Sequence, residues 1–145
     1  MKLPEYITAK EVKRVCKKLG LRDWSELKEG TISKKEASAI LKAVNTQKMD
    51  IPLEDFMQGL EVELEHGTRY EDANVTNNHP VITGKIVLAH LKETMDYYKR
   101  IDVAEIEGDL LKAVLAKDIK KIEAKYKKLI KAQKELNQAV AKQMK

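Results

Sequence analysis

The sequence is poor in cysteine, aromatic residues, proline and glycine. Its one cysteine, Cys16, has no partner for an internal disulfide, and aromatics make up 5% of the 145 residues. Three prolines and six glycines leave long stretches without a helix breaker. No run approaches the roughly 18 apolar residues that a membrane-spanning helix needs. These absences exclude a disulfide framework and a membrane span. The N-terminus lacks a secretion-signal pattern, so we expect a cytoplasmic protein.

Charged residues are abundant and unevenly distributed. They make up 35% of the chain, and the lysine and glutamate content is typical of helices with charged surfaces and suits a thermophilic source. Residues 117–145 contain ten lysines and three acidic residues, a net charge of +7. The rest of the chain has 18 basic and 20 acidic residues and is close to neutral. The basic character therefore lies in the C-terminal segment.

Two capping-box patterns predict the first two helices. Thr8 and Glu11 form one box and Ser33 and Glu36 the other, and each precedes apolar residues at i, i+3, i+4 and i+7 spacing. Gly20 is placed to end the first helix in a left-handed conformation. Between the helices lies the only tryptophan, which we expect to fill the core and to need a partner for its indole N–H.

The middle of the chain predicts two more helices. The third begins near Asp50 and ends at Gly67, and a long polar loop follows over residues 68–80. The fourth runs from about Gly84 to Arg100 and is apolar around most of its circumference, which is typical of a central, buried helix.

A long helix is predicted from Val103 to the C-terminus, with a kink at Gly108. Apolar residues recur in it at a mean spacing of 3.5 residues, the pattern of a coiled-coil seam: Leu115, Ile119, Ile122, Tyr126, Leu129, Leu136 and Val140. We therefore expect an all-α fold, an irregular bundle of four to five helices, with a helical module over residues 1–102 and a long basic helix over residues 103–145. The long helix is expected to pair with a second copy or a partner protein. The alternative is that it folds back onto the bundle.

One constellation has the chemistry of a metal site. Glu63 and His66 are three residues apart on the third helix, and His90 and Glu93 on the fourth, so each pair shares a helical face. Carboxylate and imidazole together suit zinc, iron or manganese. The alternative is a structural polar network. Phosphate-binding loops, serine-nucleophile motifs and paired cysteines are absent from the sequence, so nothing in it indicates an enzyme.

The middle of the chain resembles a family of small uncharacterised proteins of prokaryotes and phages. The segments that carry the resemblance are Gly59 to Gly67, Asn74 to Thr76, Thr83 to Ile86, and Ala89 to Tyr98. The resemblance implies a virion or mobile-element context and no assigned activity. It also implies that Glu63, Glu65, His66, His90 and Glu93 belong to one module, in which His79 stands where an acidic residue is expected.

These features favour a small interaction or structural protein whose C-terminal helix binds a protein partner or a second copy. A non-specific nucleic-acid-binding protein is the first alternative, because lysines can contact phosphates without reading sequence. The lysines that would do so are Lys120, Lys121, Lys125, Lys127, Lys128, Lys131 and Lys134. A metal-binding protein or metal-dependent enzyme is the second alternative.

Overall fold

The fold is all-α, as the sequence predicts. A computed structural model describes residues 6–144, except for the side chain of Glu71, and this part of the chain contains no strand. Its six helices are α1 (Ala9–Leu19), α2 (Lys34–Val44), α3 (Leu53–Arg69), α4 (Pro80–Glu93), α5 (Tyr97–Leu115) and α6 (Ile119–Gln143). Single 3₁₀ turns lie at Trp24–Glu26 and Glu71–Ala73.

The chain divides into two compact units. Unit one extends to Glu93 and unit two begins at Thr94. The division expected after residue 102 falls inside α5. In unit one, α2, α3 and α4 pack against one another and α1 contacts α4, whereas unit two consists of α5 packed on α6.

The two predicted caps form to different extents. At α2 the box is complete, because the Ser33 hydroxyl accepts from the Glu36 amide and the Glu36 carboxylate accepts from the Ser33 amide. At α1 the Thr8 hydroxyl accepts from the Glu11 amide at 3.2 Å. The Glu11 carboxylate pairs with Arg14 at 2.7 Å. Gly20 ends α1 with φ of 68°, as predicted.

The interior of unit one contains the predicted tryptophan. Trp24 is fully buried, and its backbone amide approaches the buried Cys16 sulfur at 3.5 Å. Burial raises the pKa of the Cys16 thiol, which fits a packed residue rather than a nucleophile. The other fully buried large side chains of this unit include Ile40, Phe56, Leu60, Leu64 and Leu91.

Helix boundaries in the middle of the chain differ from the predicted ones. α3 continues through Gly67 to Arg69, and α4 begins at Pro80 rather than at Gly84. Proline is tolerated there because a backbone N–H in the first helical turn has no acceptor within the helix, so the N–H that proline lacks is not needed. The predicted fourth helix is two helices, because the chain leaves the helical conformation between Glu93 and Tyr97.

The predicted long C-terminal helix is present as α6, but it does not run without interruption from Val103. A turn over residues 116–118, with Lys117 at φ of 54°, separates α5 from α6, and the two helices form a hairpin. Helix α5 runs through Gly108 without interruption. Within the described residues, none of these helices is long and apolar enough to cross a membrane.

Candidate functional site

Helices α3 and α4 bring together three of the four residues proposed as metal ligands. Oε1 of Glu63 lies 3.1 Å from Nδ1 of His90, and Oε2 lies 4.0 Å from Nδ1 of His66. The Glu63 side chain is 14% exposed and that of His90 27%, whereas His66 is 69% exposed. One half-buried carboxylate therefore faces an imidazole on each side, and the His90 contact is the closer and better shielded.

The fourth proposed ligand stands apart from this contact. Glu93 is the last residue of α4 and its side chain is exposed. Within residues 6–144 no group of three or more histidine, cysteine, aspartate or glutamate side chains is arranged to hold a metal ion. Metal binding by the four residues stays a prediction.

A small cleft opens beside Glu63 and His66. Its volume is about 170 Å³, and it lies between α3, the loop over residues 73–76 and the start of α4. Its polar lining comes from Glu63, His66, Asn74, Thr76 and Thr83, and its apolar lining includes Val75 and Ile86. Most of these residues belong to the segments that carry the family resemblance.

Gly67 allows the loop to approach α3 closely. A Cβ atom at this position would lie 2.0 Å from Oδ1 of Asn78 and 2.9 Å from Cγ of Asn74. The Asn74 amide donates to the Gly67 carbonyl at 3.3 Å and lies 3.4 Å from Oδ1 of Asn78. The sequence predicts that Gly67 ends the helix. In the structure a glycine is instead required at this position because the loop contacts it closely.

The end of the loop is buried and adopts an unusual backbone conformation. Asn77 and Asn78 have φ of 45° and 57°, a region that asparagine tolerates better than most residues. Nδ1 of the buried His79 accepts from the Ile82 amide at 3.3 Å and so caps α4. Burial lowers the pKa of His79 and keeps the ring neutral. His79 thus has a structural role at the position where the resemblance implies an acidic residue.

A wider groove of about 560 Å³ lies elsewhere in unit one, beside Arg22 and Glu36. Two of its three charged groups already bind one another, because Nε of Arg22 donates to Oε1 of Glu36 at 3.0 Å. Size alone therefore does not make this groove the better candidate, and the cleft beside Glu63 has the more convergent polar lining.

In unit two the hairpin is held by a narrow row of α6 side chains. Six buried or half-buried positions of α6 alternate at three- and four-residue steps: Ile122, Lys125, Leu129, Ala132, Leu136 and Ala139; Val140, beside the last of them, is half-buried as well. We call this row of six the inner seam. It differs from the predicted seam, several of whose residues are solvent-exposed, among them Leu115, Ile119 and Tyr126. The 3.5-residue repeat thus serves an intramolecular contact.

Both ends of the hairpin are fixed by charged groups. Near the turn, Nζ of Lys125 contacts Asp109 at 2.5 Å. At the open end the side chain of Asp96, 1% exposed, accepts two bonds from Arg100 at 2.8 and 2.9 Å and is also bonded to Gln143 near the end of α6. The bonds from Arg100, reinforced by Thr94, lower the pKa of Asp96 to about 2.

The seven lysines proposed for nucleic-acid binding are not equivalent. Lys125 is committed to Asp109, Lys121 lies 3.4 Å from Asp118, and Lys131 lies 3.8 Å from Glu135. The remaining four are exposed on α6: Lys120, Lys127, Lys128 and Lys134. Three of these follow one another at seven-residue steps and therefore lie along one line of the helix.

Unit one thus has the architecture of a small helical module with a polar cleft, and unit two that of a helical hairpin. Residues 12–107 match the family described as a protein of unknown function, DUF5661, and the chain belongs to that family. The match ends within α5, so the hairpin turn and α6 lie beyond it. No curated protein and no solved structure matches the chain.

Proposed function

We propose that this chain is a helical interaction protein whose C-terminal hairpin binds another helix. The observation that carries the proposal is the distribution of exposed apolar side chains. Ten large apolar side chains are exposed among the described residues, and seven of them lie in unit two: Leu111, Val114, Leu115, Ile119, Tyr126, Ile130 and Met144. Concentrated apolar exposure of this kind marks interaction surfaces in soluble proteins.

Packing within the hairpin supports the same proposal. Two helices alone form a thin structure, and a helix in a bundle normally buries a stripe wide enough to contact two neighbours. Helix α6 buries little more than its inner seam, with Val140 half-buried beside it. Tyr126 and Ile130 are more than half exposed, which a helix packed on a second neighbour would not leave in water. The family resemblance adds a phage or mobile-element setting, where small interaction proteins of this size are expected.

Site-specific photo-cross-linking tests the proposal. A benzophenone side chain placed at Ile130 should form covalent adducts with a protein in the expressing cell. The control carries the same group at Lys131, which is exposed but lies on another side of α6. Adducts from position 130 that are absent or much weaker from position 131 support the proposal. Equal labelling from both positions, or none from either, overturns it.

Nucleic-acid binding is the second candidate function. The observation in its favour is the exposed line formed by Lys120, Lys127 and Lys134. A lysine that is not paired with a carboxylate can bind a phosphate without first breaking an ion pair. Helix α6 offers no arginine, and its only aromatic residue is Tyr126. Any such binding would therefore depend on charge and would not read base sequence.

A further inference from the structure

Helix α6 has a second row of side chains beside the inner seam. The row consists of Ile119, Glu123, Tyr126, Ile130, Gln133, Asn137, Val140 and Met144, again at alternating four- and three-residue steps. We call it the outer seam. Four of its five apolar members are strongly exposed, from 56% for Ile130 to 84% for Met144, and the fifth, Val140, is half-buried. The eight lysines of α6 all lie outside it.

The outer seam has the spacing of a coiled-coil interface. A 3.5-residue repeat keeps one line of a helix in contact with a neighbouring helix. About one third of the residues of α6 are lysines, so a random arrangement would place some of them on this line. Their absence from all eight positions indicates a surface that loses its water when a partner binds. Two adjacent seams on one helix are what a member of a three- or four-helix bundle needs.

The order of residues in the outer seam is self-complementary. If two α6 helices lie antiparallel about a twofold axis at residue 135, Gln133 of one copy faces Asn137 of the other, and Asn137 faces Gln133. In the same register Ile130 faces Val140 and Tyr126 faces Met144. Within the overlap each of these apolar residues meets an apolar residue and each amide meets an amide, so the amide side chains are paired across the interface.

The distribution of charge favours this antiparallel register. Residues 119–131 contain six lysines, whereas residues 132–143 contain only Lys134 and Lys142. Antiparallel overlap of residues 126–144 leaves Lys120, Lys121 and Lys125 outside the contact. It places Lys127, Lys128 and Lys131 beside the lysine-poor half of the partner helix. A parallel pair would bring the two lysine-rich halves together, with repulsion that salt only partly screens.

We infer that the occupant of the outer seam is a second copy of this chain, bound antiparallel about a twofold axis near residue 135, so that two hairpins form a four-helix assembly. This inference rests on the proposed function and specifies its partner. The overlap of residues 126–144 spans about 27 Å, between two and three heptads. An interface of that length is small, so we expect reversible association rather than a permanent dimer.

Sedimentation of the full chain over a wide concentration range tests self-association. The wild-type chain should pass from monomer to dimer as concentration rises. Ile130→Glu places a charge in the centre of the outer seam and should raise the dissociation constant at least about tenfold. The matched control is Ala124→Glu, which makes the same change of charge at an exposed position outside both seams. It should leave the constant within about twofold.

Disulfide trapping tests the register. Gln133→Cys and Asn137→Cys are made separately, and the buried Cys16 is expected to stay unreactive. Under mild oxidation the mixture of the two variants should form covalent dimers far faster than either variant alone, because only the mixture brings cysteines face to face. Faster trapping of each variant with itself would overturn the antiparallel register.

A wild-type chain that stays monomeric at every concentration would overturn the inference. That failure is distinguishable from failure of the proposed function. Adducts from a photoreactive group at Ile130 whose mass differs from that of two copies would then show that a different protein occupies the seam. Absence of adducts as well would overturn both.

Discussion

Nε1 of Trp24 donates a hydrogen bond to Oε1 of Glu36 at 3.1 Å, inside unit one. The same carboxylate caps α2 and accepts from Arg22, so a single glutamate joins the tryptophan, the helix start and the preceding loop. Burial raises the pKa of Glu36, but the bonds from Ser33 and Trp24 and the charge of Arg22 outweigh burial and lower it below its ordinary value. The carboxylate is therefore ionised in the folded protein at neutral pH.

Replacement of Glu36 should destabilise unit one. Glu36→Gln keeps the size of the side chain but removes the charge that accepts these bonds, and we expect a loss of about 2 kcal/mol in the free energy of unfolding at pH 7. Urea titration followed by the fluorescence of Trp24, the only tryptophan, measures it. The matched control Lys35→Gln changes an exposed neighbour and should be nearly neutral. Equal stability of the two variants would contradict the prediction.

The stability of unit two should depend on acidic pH through Asp96. Its folded pKa, about 2, lies below the ordinary value of 3.8, so ionised Asp96 stabilises the hairpin. This contribution, about 2 kcal/mol, is fully present above about pH 4 and is lost as pH falls through 2. Hydrogen exchange of α5 and α6 amides should show a stability loss in Asp96→Asn at pH 7 that shrinks towards pH 2. The control Glu107→Gln, at an exposed position of α5, should show neither effect.

Two glycines within helices should respond to alanine in opposite ways. At Gly67 an added Cβ would collide with Asn78 at 2.0 Å, and the atom met is the side chain of a buried residue. Gly67→Ala should therefore destabilise unit one by more than about 1 kcal/mol. At Gly108 an added Cβ meets nothing within 4 Å, so Gly108→Ala should stabilise α5 by about 0.5–1 kcal/mol. The melting temperatures of both variants, compared with that of the wild-type chain, test these two predictions. Stabilisation by Gly67→Ala would contradict the close approach of the loop to α3.

The sequence predicted the first two helices of unit one well because their ends carry side-chain and glycine signals. Ser33 and Gly20 fix local hydrogen bonds and a left-handed residue, and such signals act within one helical turn. The hairpin turn was missed because it contains neither glycine nor proline. The left-handed residue is Lys117, and the one local signal is Asp118, whose side chain accepts from the Lys121 amide at 3.1 Å.

The predicted seam also obscured the hairpin. It followed an apolar line from Leu115 through Ile119 to Val140 and so crossed the turn, although residues on either side of a turn do not share a helical face. In the candidate site, Glu63 and His66 could be placed together because they share one helix. Contact between Glu63 and His90 depends on the packing of α3 on α4, which no local pattern encodes.

The contact between Glu63 and His90 should contribute more to stability than that between Glu63 and His66. His90→Ala leaves a half-buried carboxylate without its closest imidazole and should cost about 1 kcal/mol in the free energy of unfolding, whereas His66→Ala removes an exposed ring 4.0 Å away and should cost little. Urea titration of both variants measures the difference. Equal costs would contradict the geometry.

The same two variants test the metal prediction. A metal site at Glu63, His66 and His90 would raise the melting temperature of the wild-type chain when Zn²⁺ is added, and His90→Ala would abolish that rise. A hydrogen-bonded pair without metal affinity gives no such rise in either chain. Spectroscopic titration with Co²⁺, which has visible absorption when bound, provides an independent readout.

Nucleic-acid binding should depend on the exposed lysine line of α6. The triple variant Lys120→Gln, Lys127→Gln, Lys134→Gln removes three exposed charges, so affinity for a mixed-sequence DNA duplex should fall at low salt. If each lysine neutralises one phosphate, the slope of log Kobs against log salt should flatten by up to about 2.7. The control is Lys125→Gln, which breaks the ion pair with Asp109 and should weaken the hairpin while leaving the slope almost unchanged. Fluorescence anisotropy at several salt concentrations measures both quantities. An equal slope for the wild-type chain and the triple variant would assign the positive charge of α6 a role other than phosphate contact.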